Sequence, residues 1–111
     1  MQILFLCSQN KQRSLTAEKL FDGYHNHRVR SAGTEANARI KVTAGDIAWA
    51  DIIFCMEQKH ARRIREKYAD KLKDKKLICL NIPDKFAFMD EKLQSLLKER
   101  LNSVFINFQA A

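Results

Sequence analysis

Glycine and proline are scarce in this sequence, which has three glycines and one proline among its 111 residues. Linkers between domains are commonly rich in proline, glycine or small polar residues, and we find no such stretch, internal repeat or low-complexity segment here. The length suits a single domain, and 46% of the residues are hydrophobic, which is enough to build one core. We therefore predict one domain spanning residues 1–111.

Long hydrophobic runs are also missing. No stretch approaches the roughly 20 apolar residues of a membrane-spanning helix, and the N-terminus lacks the basic region, apolar stretch and cleavage site of a signal peptide. Cysteine is limited to Cys7, Cys55 and Cys79, an odd number in unlike contexts, which favours free thiols over a disulfide framework. We expect a cytoplasmic protein with no membrane insertion.

Positive charge is in excess, with a formal net charge of +7, and much of it lies between Lys59 and Lys76. Such a segment can bind nucleic acid or an acidic partner. However, Glu66, Asp70 and Asp74 are interleaved with the cations, and mixed runs are usually solvated helix faces. We favour the solvated face over a nucleic-acid interface, and the excess charge attracts anionic substrates in either case.

Short apolar runs alternate with segments of helical periodicity. The runs at residues 2–7, 28–32, 51–56 and 77–80 predict strands, and the first is nearly continuous, as in a strand buried on both faces. Helices are predicted after Ser14, a candidate N-cap, over residues 43–49 and 57–72, and from Asp90 onward. This order predicts an α/β fold with about four parallel strands flanked by helices, in which ligands bind beyond the carboxyl ends of the strands.

Two of the predicted helices have a stripe of side chains that should face the core. In the third helix the stripe consists of His60, Ile64, Tyr68 and Leu72. In the last helix it consists of Leu93, Leu96, Leu97, Leu101, Val104, Phe105 and Phe108. We expect His60 to be a packed core residue rather than a catalytic one, and the three histidines show no spacing typical of metal ligands. We predict no metal site.

The segment with the clearest chemistry follows the first strand directly and reads Cys7-Ser8-Gln9-Asn10-Lys11-Gln12-Arg13-Ser14. A loop at a helix N-terminus directs several backbone N–H groups into one concavity, where the helix dipole also favours an anion. The same groups should stabilise a thiolate on Cys7, to which Ser14 could donate its hydroxyl hydrogen. Arg13 can grip two phosphate oxygens with its planar fork. We therefore predict that residues 8–14 bind phosphate and that Cys7 is a nucleophile.

This arrangement resembles the low-molecular-weight protein tyrosine phosphatase family, and the chain looks like a short bacterial-type member. Asn10 stands where the family has a loop-shaping asparagine, and Ser31, in the segment Ser-Ala-Gly-Thr, stands where the family has the serine that supports it. Residues 51–56 resemble the family's third strand. The resemblance implies a phosphatase-I, flavodoxin-like fold. It also implies hydrolysis of phosphotyrosine proteins or small aryl phosphates through a phosphocysteine, with no cofactor.

The sequence departs from the family pattern at three places. Almost nothing of the family's further helix remains at residues 34–43, and Gln12 stands where many relatives have a second, protective cysteine. The family's general acid is an aspartate before a proline, whereas the order here is Pro83-Asp84. The acid is thus Asp84 or Asp90. We favour Asp84, because Asp90 heads the last helix and has a structural task as its N-cap.

Phe86 and Phe88 follow the assigned acid. They either line a slot for an aromatic ring or anchor the loop, and the sequence does not distinguish these two arrangements. The oligomeric state is likewise not determined by the sequence.

Other functions remain open. A thiol-dependent arsenate reductase uses a similar anion loop, but it needs resolving cysteines close to the loop, and Cys55 and Cys79 lie in predicted strands instead. A sugar-transport phosphocarrier would lack the arginine. A non-catalytic basic binding domain with a vestigial phosphate loop would have no need for Cys7, Arg13 and Ser14.

Overall fold

The structure, a computed structural model, describes residues 1–104. Over that range, strands and helices alternate in the order β1 (Gln2–Cys7), α1 (Arg13–Phe21), β2 (Arg28–Gly33), α2 (Ala44–Trp49), β3 (Ile52–Cys55), α3 (Gln58–Tyr68), β4 (Lys76–Cys79) and α4 (Glu91–Val104). The strands form one sheet in the order β2-β1-β3-β4, and every pairing is parallel. The predicted four-stranded α/β fold is confirmed.

The side chains of β1 explain why this strand lies inside the sheet. Ile3, Phe5 and Cys7 pack on the face that α1 and α4 cover, whereas Leu4 and Leu6 pack on the face that α2 and α3 cover. All five are at most 3% exposed. Burial of each large apolar side chain stabilises the fold by roughly 1.5–3 kcal/mol, so the continuous apolar run favours a strand with a helix layer on each side.

The predicted stripe of α4 is confirmed where the structure describes it. Its buried members are Leu93, Leu97 and Leu101. They pack on the same face of the sheet as α1. The predictions for the side chains of Val104, Phe105 and Phe108 lie outside the described part of the chain. On α3, His60 and Ile64 are buried, and Tyr68 packs against the same layer while half-exposed.

The start of α1 corrects one prediction. Ser14 is not the N-cap, because the helix begins at Arg13 and Gln12 occupies the cap position without a side-chain hydrogen bond. The Ser14 hydroxyl contacts the Cys7 sulfur instead. The local preference of Ser14 for a cap position is thus outweighed by its contact with the Cys7 sulfur.

The predicted starts of α2 and α4 are confirmed by their caps. Thr43 and Asp46 form a reciprocal capping box at α2, in which the Asp46 N–H donates to Thr43 Oγ1 over 3.2 Å. At α4 the Asp90 carboxylate accepts a hydrogen bond of 2.8 Å from the Lys92 N–H. Asp90 therefore caps the helix, a task worth about 1 kcal/mol in typical proteins.

The strand order fixes where a ligand can bind. The chain winds from β1 to β2 in one direction and then crosses to β3 on the other side of β1, which opens a crevice beyond the carboxyl ends of β1 and β3. Cys7 ends β1, and Glu57 follows β3 by two residues. None of the helices within residues 1–104 has the length and apolar character needed to cross a bilayer.

Candidate active site

The loop after β1 folds back on the Cys7 sulfur. Asn10 adopts a left-handed backbone conformation with a φ of 59°, which asparagine tolerates better than most residues. This turn brings the Asn10 N–H within 3.2 Å of Cys7 Sγ, to which it donates a hydrogen bond. Cys7 is 3% exposed. The nucleophile predicted from the sequence thus lies at the base of the loop and receives a backbone hydrogen bond.

A chain of hydrogen bonds connects Cys7 to a carboxylate on α1. Ser14 Oγ lies 2.9 Å from Cys7 Sγ, and Asn10 Nδ2 lies 2.8 Å from both Ser14 Oγ and Ser31 Oγ. Ser31 Oγ in turn lies 2.5 Å from Glu18 Oε1. The contacts of Asn10 and Ser31 are those that the family resemblance implied, whereas Glu18 was not predicted.

The chemistry of these groups fixes the direction of the chain. An ionised Glu18 carboxylate can only accept, so Ser31 donates its hydroxyl hydrogen to it and its oxygen accepts from Asn10. The second amide hydrogen of Asn10 goes to Ser14 Oγ, which leaves the Ser14 hydrogen for Cys7. A Cys7 thiolate would therefore receive two hydrogen bonds, one from Ser14 and one from the Asn10 backbone, and both stabilise the charged form.

The short segment at residues 34–39 holds the loop from outside. Its donors take four consecutive loop carbonyls: Thr34 N binds Cys7 O at 2.9 Å, Glu35 N binds Ser8 O at 3.0 Å, Arg39 N binds Gln9 O at 2.9 Å, and Arg39 Nε binds Asn10 O at 3.1 Å. Because C=O and N–H point in opposite directions across a trans peptide, turning the carbonyls outward turns the N–H groups toward the inside of the loop. That is the arrangement that an anion requires.

Gly33 allows this close approach. A Cβ at this position would lie 2.5 Å from the Ser8 carbonyl oxygen and 2.5 Å from Ala38 Cβ. Both distances are far inside van der Waals contact, and one of the atoms belongs to the backbone. Any larger residue would push the holding segment off the loop.

Arg13 is buried at the mouth of the loop, with 2% of its surface exposed. Its Nη1 donates to Glu57 Oε1 over 2.5 Å and to the Ile82 carbonyl over 2.8 Å. These contacts use both Nη1 hydrogens. Among residues 1–104, Nε and Nη2 have no hydrogen-bond partner, and this free edge of the fork suits two phosphate oxygens. Burial alone would raise the pKa of Glu57, but the hydrogen bond to Arg13 and its charge outweigh burial, and the pKa is lowered.

His60 connects α3 to the beginning of the loop. Its Nδ1 accepts a hydrogen bond of 3.0 Å from the Glu57 N–H, so in the neutral ring the hydrogen is on Nε2. Nε2 lies 2.9 Å from Ser8 Oγ and donates to it. Burial, followed by the nearby Arg13 charge, lowers the pKa of His60 to about 4. His60 is buried, as predicted, and it also holds the residue next to the nucleophile.

The region after β4 contributes Asp84. Its Oδ1 lies 3.8 Å from Arg13 Nε, and its side chain is 58% exposed, so the carboxyl stands at the mouth of the loop beside the free edge of Arg13. Phe86 is half-buried and packs against the core, whereas Phe88 is 46% exposed. Of the two arrangements left open by the sequence, Phe86 adopts the anchoring one.

The structure thus brings together Cys7, Asn10, Arg13, Ser14, Ser31 and Asp84. Among the other residues predicted to bind phosphate, Ser8 is buried, Gln9 is half-buried, and Lys11 and Gln12 have exposed side chains. Sequence reasoning missed Glu57, His60 and Glu18. Glu57 had a usable signal, because it follows a predicted strand at the carboxyl edge of the sheet.

The two remaining cysteines lie away from the loop. Cys55 packs in the layer under α2 and α3, on the opposite face of the sheet from Cys7, and burial raises the pKa of its thiol to about 12. Cys79 is partly exposed, and its Sγ donates to Asn81 Oδ1 over 3.2 Å. Neither thiol is placed to resolve a bond formed at Cys7.

Part of the sequence that forms this geometry matches the model of a known family. Residues 2–47 match the model of the family described as low molecular weight phosphotyrosine protein phosphatase. The resemblance predicted from the sequence is confirmed. The matched range contains the whole loop from Cys7 to Ser14, Ser31 and the segment that holds the loop from outside. A search of curated proteins finds no match to the chain.

Solved phosphatase structures share the fold over nearly the whole chain. The YwlE arginine phosphatase from Geobacillus stearothermophilus superposes with a TM-score of 0.73 at 20% identity, covering 97% of this chain and 94% of the other. The tyrosine phosphatase Wzb from Escherichia coli K30, in complex with phosphate, gives 0.75 at 19% identity, covering 93% and 94%. A mutant YwlE arginine phosphatase with a phosphorylated active-site serine gives 0.77 at 19% identity, covering 99% and 97%.

Proposed function

We propose that this protein is a cysteine-dependent phosphatase that hydrolyses phosphomonoesters, with a phosphotyrosine protein or a small aryl phosphate as its substrate. The observation that carries the proposal is the position of Cys7 Sγ, which lies 2.9 Å from the Ser14 hydroxyl and 3.2 Å from the Asn10 N–H at the base of the loop. The match of residues 2–47 to the phosphatase family supports it.

In the first step the Cys7 thiolate attacks phosphorus, and the bond from phosphorus to the leaving oxygen breaks as the S–P bond forms. Asp84 gives its proton to the leaving oxygen. The loop N–H groups and the free edge of Arg13 stabilise the charge on the three equatorial oxygens, since positioning and electrostatics dominate phosphoryl transfer. The product of this step is an alcohol or phenol and a phosphocysteine.

In the second step water attacks the phosphocysteine. Asp84, now ionised, takes a proton from the water as the new P–O bond forms, and the S–P bond breaks to return the Cys7 thiolate, which the Ser14 hydroxyl stabilises as a leaving group. Inorganic phosphate then dissociates. The similar fold that carries a phosphorylated active-site serine supports a covalent route of this kind. Because the route needs a reduced thiol, we propose that the enzyme acts in the cytoplasm.

The decisive experiment measures hydrolysis of nitrophenyl phosphate by the wild type and by Cys7→Ser, Arg13→Ala and the matched control Cys79→Ser, with and without EDTA. We expect no turnover in Cys7→Ser, a loss of at least about a hundredfold in Arg13→Ala, and little change in Cys79→Ser. EDTA should have no effect. Full activity in Cys7→Ser, or activity that EDTA removes, would refute the proposal.

The same preparation tests the alternatives. A thiol-coupled arsenate assay should show no reduction, because Cys55 and Cys79 are not placed to resolve Cys7. A purely binding role would leave every phosphate ester intact. Phosphotyrosine and phosphoarginine peptides of the same sequence should be compared directly, because proteins of this fold include both tyrosine and arginine phosphatases.

A further inference from the structure

A cleft of about 330 Å³ lies between α3 and the segment after β2. Its lining residues are Thr34, Glu35, Lys59, Arg62, Arg63 and Glu66. One wall is continuous with the catalytic loop, because the Thr34 and Glu35 N–H groups bind the Cys7 and Ser8 carbonyls at 2.9 and 3.0 Å. The other wall begins two residues after Glu57, which holds Arg13. The cleft therefore adjoins the catalytic loop on its outer side.

The first half of α3 carries more positive charge than the N-terminal end of a helix favours. Its first eight residues, 58–65, contain four cations and no acid. These cations are Lys59, Arg62, Arg63 and Arg65. Acids stabilise a helix at its N-terminus, but the one acid there, the cap residue Glu57, is bound to Arg13, and the next acid is Glu66. A violation of a local rule is expected most often where a site requires it, and here it adds positive potential at the end of α3 that adjoins the loop.

Two of the three cations that line the cleft are available to a ligand. Arg63 is already paired with Glu35 across the cleft at 2.8 Å. Lys59 is 54% exposed, and its Nζ lies 4.0 Å from Glu57 Oε1, which is bound to Arg13. Arg62 is exposed and forms no ion pair with any residue of the described part of the chain. We refer to Lys59 and Arg62 as the basic rim.

We propose that the basic rim binds acidic side chains next to the phosphorylated residue of a protein substrate, so that the enzyme prefers phosphorylation sites flanked by aspartate or glutamate. The inference rests on the proposed function and adds a substrate class to it. An extended peptide advances about 3.3–3.6 Å per residue, so a side chain two or three positions from the phosphorylated residue lies roughly 7–11 Å away from it.

The rim lies at a comparable separation along α3 from Glu57, the residue that holds Arg13. Arg62 is five positions beyond Glu57, which corresponds to about 7.5 Å along a helix axis. The connection between β2 and α2 contains no helix, so this side of the site has only the short segment at residues 34–43 as its wall. A peptide whose phosphate occupies the loop can therefore extend over this wall toward α3.

The test uses two phosphotyrosine peptides of equal length, one with glutamates and one with glutamines beside the phosphotyrosine. The ratio of their kcat/KM values is measured for the wild type, Arg62→Gln, Lys59→Gln, the double variant and the matched control Lys71→Gln. Lys71 is exposed and lies beyond the C-terminal end of α3. It is thus about 15 Å or more along the helix from the site, farther than the screening length of about 8 Å at physiological salt.

We expect the wild type to favour the glutamate peptide by about two- to fivefold for each rim charge that is used. The ratio of the two kcat/KM values should fall toward one in the double variant, decrease at high salt, and be unchanged in Lys71→Gln. Arg62→Lys should restore most of it. A wild-type ratio of one, or an equal loss in Lys71→Gln, would overturn the inference.

Failure of the inference can be separated from failure of the proposed function. If the wild type hydrolyses nitrophenyl phosphate but does not distinguish the peptides, only the inference is wrong. If it hydrolyses nothing, the two peptides are compared by their affinity for Cys7→Ser, where equal affinities again overturn the inference. A single-stranded oligonucleotide that binds the wild type and not Arg62→Gln, with equal peptide affinities, would assign the rim to nucleic acid instead.

Discussion

Acid should destabilise this protein through His60. Its pKa is lowered from an ordinary value of 6.5 to about 4 in the folded chain, by burial first and then by the charges of Arg13 and Lys59, against the opposing effect of Glu57 and Glu35. Between these two pH values the unfolded chain binds a proton that the folded chain does not. The associated stability is therefore complete above pH 6.5 and is lost progressively as the pH falls toward 4.

The difference between the two pKa values corresponds to roughly 3 kcal/mol of unfolding free energy, of which about 2 kcal/mol is lost between about pH 7 and pH 5. The structural cause is specific. Nδ1 of His60 accepts a hydrogen bond of 3.0 Å from the Glu57 N–H. A proton on Nδ1 would replace this acceptor with a second donor, so protonation breaks the cap of α3 and places a charge in a buried position.

Urea unfolding at about pH 7 and pH 5 measures this loss. The informative variant is His60→Gln, because a glutamine at this position of a capping box can still accept the Glu57 N–H and does not titrate. His25→Gln, at an exposed histidine, is the control. The wild type and His25→Gln should lose about 2 kcal/mol more than His60→Gln over this interval. Equal losses in all three proteins would refute the reasoning.

Three further substitutions test the site, and two of them have a second variant for comparison. Asp84→Ala should slow phenyl phosphate hydrolysis about 10²–10⁴-fold and nitrophenyl phosphate far less, whereas Asp90→Ala should mainly lower the unfolding free energy by about 1 kcal/mol; the opposite pattern would exchange their roles. Glu57→Gln should lower the unfolding free energy, measured in urea, by about 1.5–3 kcal/mol. An unchanged midpoint of the urea transition would show that the contact with Arg13 does not stabilise the fold. Gly33→Ala should lower the unfolding free energy by about 1–3 kcal/mol and remove most of the turnover. Gly45→Ala, whose added Cβ would meet its nearest atom at 3.6 Å, should be harmless by the same assays.

The parts of this site that are contiguous in sequence could be predicted. The apolar run of β1 and the loop from Cys7 to Arg13 are set by local order, since a strand, a turn and a helix N-terminus follow one another directly. The position of Asp84 beyond β4 followed from the topology of a parallel sheet. These predictions required no knowledge of which distant side chains meet.

The contacts that hold the loop could not be predicted in the same way. Glu57 binds Arg13 across 44 positions and His60 binds Ser8 across 52. Periodicity shows that His60 faces inward, but it does not show which polar atom a buried ring will meet. Ser14 illustrates the converse, because its local preference for a cap was outweighed by its hydrogen bond to the Cys7 sulfur.

The carbonyl of Ile82 that accepts from Arg13 lies 69 positions further along the chain, and this separation has a consequence for synthesis. A nascent chain displays its complete loop motif long before this carbonyl has been made. At typical elongation rates of about 5–20 residues per second, the interval is roughly 3–14 s. Until then Arg13 lacks the Ile82 carbonyl, and it also lacks Glu57 until 44 positions have been added. Ribosome-bound chains that end before Ile82 should therefore not bind phosphate.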